Sequence, residues 1–80
     1  MNALTAEILA ARRLPPPALA KAIRESAGVS QQRLACELGV HRVSIARYEA
    51  SGPWSRKPRG ELRIRYISLL EELQREVLNS

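Results

Sequence analysis

Apolar residues recur along this chain at helical spacing and show no strict alternation, so the pattern predicts helices and no strand. Leu4, Ile8 and Leu9 with Ala3, Ala11 and Leu14 recur at helical spacing and predict a short first helix, which Pro15-Pro16-Pro17 ends. A second helix is expected to start just inside that proline run, where a fixed φ suits the first turn, and to carry Leu19, Ile23 and Ala27 on one face as far as Gly28. Ser30 is a good N-cap for a third helix, Gln31 to Leu38, whose Leu34, Ala35 and Leu38 lie together. Gly39 closes it, a fourth helix runs from about Arg42 to Ala50, and a longer fifth from about Glu61 to Leu78. In the fifth, Leu62, Tyr66, Leu69, Leu70, Leu73 and Val77 form a stripe wide enough to face a core. The expected class is all-α, a compact five-helix unit. Residues 1–15 are read as an N-terminal helix and proline linker, and residues 16–80 as one globular domain.

Eighty residues leave room for one small domain, whose modest core makes dimerisation an open question from the start. Thirteen Lys and Arg against eight Asp and Glu give a net charge of +5, which favours a polyanionic partner, nucleic acid before an anionic membrane. The charge is concentrated, since seven of the basic residues lie between Arg42 and Arg65 against two acids, Glu49 and Glu61. Cys36, the lone cysteine, has no partner for an internal disulfide, which fits a reducing compartment. No apolar run approaches the ~20 residues of a membrane span, and no signal-peptide pattern is present, so a cytoplasmic, nucleoid-associated location is expected.

Enzyme chemistry is not expected. Glu71, Glu72 and Glu76 read as the solvated side of an amphipathic helix, and Ser30, His41 and Glu49 lie too close along one motif to surround a substrate. A single histidine and a single cysteine do not assemble a metal site, and neither a cofactor nor a small-molecule ligand is indicated.

The informative stretch is Gln31 to Ala50, two short helices joined at Gly39 by a tight turn, the architecture of a helix-turn-helix. Ala35 is small where the helices must approach, and Leu34, Leu38, Val40, Ile45 and Tyr48 are apolar where the pair packs inward. At about 100° per residue, Arg42, Val43, Ala46 and Arg47 share one side of the second helix, while Ile45 and Tyr48 fall on the other. Two arginines beside two small apolar groups suit a major groove, where Arg pairs with guanine O6 and N7 and a small apolar side chain meets a thymine methyl.

The run AGVSQQRLACELGVHRVSIARYEASG, with its SQ-x-x-LA-x-x-LGV and I-x-R-Y-E segments, resembles the lambda-repressor-like, or XRE and Cro, helix-turn-helix regulators of bacteria and phages. The likeness covers about residues 19 to 73. It implies double-stranded DNA as partner, base reading by Arg42, Val43 and Arg47 with Ala46 beside them, and phosphate binding by Gln31; His41, just before the reading helix, and Ser44, within it, are read as further phosphate contacts. His41 stands where the family commonly has Ser or Thr, and the loop ASGPWSRKPRG is longer and more basic than in short members. Arg56, Lys57 and Arg59 in that loop are expected to track the phosphate backbone, ahead of any minor-groove insertion.

Trp54 is read as a lid over the core before a DNA wedge, and Cys36 as a tolerated small residue. Leu4, Ile8, Leu9, Ile64, Ile67 and Leu78 exceed what the core obviously needs, and either close a dimer or thicken the core. The function expected is a sequence-specific repressor-type regulator of phage or bacterial kind, binding an inverted repeat as a homodimer. Two alternatives are a protein-interaction module, antirepressor or antitoxin, and a DNA-architectural or recombination accessory protein.

Overall fold

A computed structural model of the chain describes residues 13–79. Within them lie four helices and no strand: α1 (Pro17–Ser26), α2 (Gln31–Leu38), α3 (Arg42–Tyr48) and α4 (Gly60–Asn79). The class is all-α, as expected; the helix predicted ahead of the prolines falls almost wholly outside the described residues, so the count here is four.

Local chemistry sets the boundaries. Pro17 opens α1, where its missing N–H has no partner to lose. Ser30 caps α2 by accepting from the Arg33 N–H at 3.0 Å. Gly39 ends α2 in a left-handed conformation, φ 71°, and the N–H groups of Gly39 and Val40 return to Cys36 O (3.2 Å) and Ala35 O (3.0 Å). A Cβ at Gly39 would meet open space, so glycine is required there by φ alone.

The core is the face these helices share: Ala20 and Ile23 of α1, Leu34, Ala35 and Leu38 of α2, Ile45 and Tyr48 of α3, Tyr66 and Leu70 of α4. Ala35 is fully buried, as a close α2–α3 approach demands. Tyr48 and Tyr66 meet at 5.3 Å between ring centroids, tilted by 46°, which ties α3 to α4.

Two sequence expectations are corrected and one is resolved. Leu19 is exposed; the buried residues of α1 are Ala20, Ile23 and Arg24, the last of them paired with Glu49. Ile67 is buried at 3% exposure and thickens the core, one of the two roles expected of it, whereas Ile64 and Leu78 face solvent and Leu4, Ile8 and Leu9 lie outside the described residues. Trp54 is not a lid over the core; half its surface is exposed and it stacks on Arg47.

Candidate nucleic-acid interface

α3 turns Ile45 and Tyr48 into the core, and this alone rotates the rest of the helix outward. Arg42 and Val43 are exposed, and Ser44, Ala46 and Arg47 are half-buried. The four candidate base-reading residues thus occupy one side of a seven-residue helix, and an α-helix about 10–12 Å across fits a major groove about 12 Å wide.

The N-terminal end of α3 is linked to the core through side chains. Glu49, immediately after α3, accepts from Arg24 at both oxygens: Nε to Oε2 at 2.6 Å and Nη2 to Oε1 at 3.0 Å. Both residues are buried, and Arg24 also donates to Val29 O at 2.7 Å. The Glu49 hydrogen bond holds the Arg24 guanidinium above its already high range, against the opposing effect of burial. Gln31 Nε2 then donates to Glu49 Oε1 at 3.1 Å, and Gln31 Oε1 accepts from Arg42 Nη1 at 3.1 Å. Donor toward the carboxylate and acceptor toward the arginine leaves Gln31 a second amide N–H. His41, the N-cap of α3, is exposed and accepts from the Val43 N–H through Nδ1 across a long 3.5 Å. In that tautomer the neutral ring carries its proton on Nε2, available to a phosphate oxygen.

At the other end of α3 the chain turns through Gly52-Pro53-Trp54-Ser55, where the Ser55 N–H donates to Gly52 O at 3.0 Å. Pro53 suits the second position of such a turn, and Gly52 takes φ 82°. The turn returns along α3: the Arg56 N–H donates to Arg47 O at 3.1 Å, and Arg47 Nε donates to Trp54 O at 3.1 Å. The chain then brings Ser44, Tyr48, Ser55, Arg56, Lys57 and Arg59 around one shallow concavity. Four of the candidate phosphate-binding residues, Ser44, Arg56, Lys57 and Arg59, are therefore neighbours, with Gln31 and His41 at the opposite end.

The chain matches the helix-turn-helix family over residues 21–75, well over half its length. It belongs to the lambda-repressor-like helix-turn-helix family. Comparisons with curated proteins and with solved structures found no match. This helix-turn-helix family is one of DNA-binding transcription regulators, so the observed α2-turn-α3 pair is a DNA-binding unit of that type. Among the described residues no helix of this helix-turn-helix chain is long and apolar enough to cross a membrane, and no His, Cys, Asp and Glu group could hold a metal ion.

Sequence reasoning overlooked two contacts that organise the helix-turn-helix surface. The Arg24–Glu49 pair spans 25 positions, and its only linear sign is a charged residue four after Ala20 and beside Ile23 on an apolar face. The Trp54 stack on Arg47 has no periodic signature, because Trp54 lies in a loop.

Proposed function

We propose that the chain is a sequence-specific, double-stranded DNA-binding transcriptional regulator of repressor type that lays α3 in the major groove. Arg42, Val43, Ala46 and Arg47 read base edges; Gln31, His41, Ser44, Arg56, Lys57 and Arg59 hold phosphates and set the register. The observation that carries this reading is the grouping of the four α3 residues on one accessible side, with phosphate donors gathered at both ends of the same helix. Specificity then comes from the centre of the contact and most of the affinity from its margins, which makes binding fall steeply with salt. The protein acts by occupying its site, without catalysis or cofactor, in the cytoplasm of a bacterium or on a phage operator. A homodimer on an inverted repeat completes the proposal, because one short helix addresses only a half-site.

Selection from a random duplex library at low and near-physiological salt tests it. Enrichment of an inverted repeat, with half-site centres about one helical turn apart, is the expected outcome. Retention without enrichment, disappearing as salt rises, would reduce the activity to nonspecific electrostatics and overturn the reading.

A further inference from the structure

Arg47 meets the loop through two of its groups and leaves the rest of the guanidinium available. Nε donates to Trp54 O at 3.1 Å, and the guanidinium carbon stands 5.5 Å from the centre of the Trp54 ring. Nη1 and Nη2 make no hydrogen bond to any described residue. The stack is not part of the core: Trp54 is 51% exposed, and the turn that carries it is closed by its own Ser55-to-Gly52 bond and by the Arg56-to-Arg47 backbone bond. An arginine with three χ angles beyond Cβ ordinarily loses much rotamer freedom on engaging a base. Here an aromatic face and a carbonyl already restrict it.

We propose that Trp54 is the positioning residue for Arg47, holding its guanidinium so that Nη1 and Nη2 point end-on as a fork for the O6 and N7 acceptors of one guanine. This rests on the groove reading above. The geometry favours the end-on fork because Nε, which the side-on alternative uses, is taken by the Trp54 carbonyl. The long loop after α3 thereby acts on specificity through Arg47, besides supplying phosphate contacts.

The test uses the full 80-residue chain and a labelled duplex carrying the enriched sequence, with single-base variants at each position. Arg47→Ala identifies the base pair that Arg47 reads, as the one whose discrimination collapses. Trp54→Ala keeps the backbone carbonyl and removes the ring, and should lower discrimination at that pair by roughly two- to fivefold, the size of an exposed cation–π contact. The pair read by Arg42 should be unaffected, Trp54→Phe should retain most of the effect, and the double variant should discriminate no worse than Arg47→Ala alone. The melting midpoint should not move. Without DNA, Arg47→Ala should shift the emission of Trp54, which is the only tryptophan.

Equal weakening on every duplex, or losses from the two variants that add, would assign Trp54 to backbone contact and overturn the proposal while leaving the groove reading intact. Unchanged emission in Arg47→Ala would do the same to the stack. An Arg47→Ala variant that flattens no base pair would instead overturn the reading of Arg47 itself, and this proposal with it.

Discussion

At the N-terminal end of α3, Arg42 is reached through a relay that begins in the core, from Arg24 to Glu49 to Gln31. At the C-terminal end, Arg47 is restrained by a solvent-exposed turn whose aromatic residue has no place in the core. The two arginines sit on one helix and face one way, yet their supports differ in kind. A buried, doubly hydrogen-bonded ion pair is expensive to disrupt, since removing one partner leaves an uncompensated charge in a low-dielectric site. An exposed stack contributes little to folding and acts mainly on where one side chain rests. Orientation of the proposed reading surface is therefore coupled to stability at one end and nearly independent of it at the other. If Arg47 reads a base as proposed, substitutions at the loop end should alter DNA preference without unfolding the domain.

The largest test of this contrast is Glu49→Gln. It strands Arg24 and should destabilise the fold by about 3–5 kcal/mol, read as a shift in denaturation midpoint, with DNA binding lost alongside. A stable variant that binds normally would remove the coupling between core and Arg42.

A smaller effect concerns alkaline pH. The Tyr66 hydroxyl is buried, with no hydrogen-bond partner among the described residues, and burial, with the Glu49 charge adding to it, pushes its pKa well above the ordinary 10.0. Tyr48 shifts the same way, again through burial. With the folded value raised, the stability that depends on a neutral Tyr66 is fully present below pH 10.0 and is lost as pH climbs toward the folded value. The slope is up to about 1.4 kcal/mol per pH unit from Tyr66, measurable by denaturant titration on either side of pH 10.0. Phenolate absorbance from both tyrosines appearing near pH 10.0 in a chain that stays folded would contradict it.

The smallest effects belong to the loop. Arg56→Ala, Lys57→Ala and Arg59→Ala should each flatten the dependence of log affinity on log salt by about 0.9 and leave base preference and melting unchanged. A salt titration reads this directly, and an unaltered slope would take that residue off the phosphate backbone.

Much of this surface was legible before any coordinates. Ser30, Gly39 and the Leu34, Ala35 and Leu38 spacing placed α2 at its observed bounds, since capping, a left-handed terminus and 3.6-residue periodicity are local rules. The outward side of α3 followed from the inward side, because Ile45 and Tyr48 admit one rotation of a short helix. The relay from Arg24 to Arg42 was not legible, nor was the Trp54 clasp: both depend on residues that periodicity treats as unrelated.

What the sequence determined by itself is a set of short-range commitments: helices, their caps, the helix-turn-helix and a basic segment around it. They are encoded within a few turns of chain, where backbone sterics and apolar spacing act without reference to distant residues. Only the tertiary structure decided which charge would be buried, that Ile67 would enter the interior, and that Trp54 would leave the core to restrain Arg47. Those outcomes depend on which faces meet once the chain closes on itself, and a buried polar group settles only where a partner from elsewhere in the chain arrives to satisfy it.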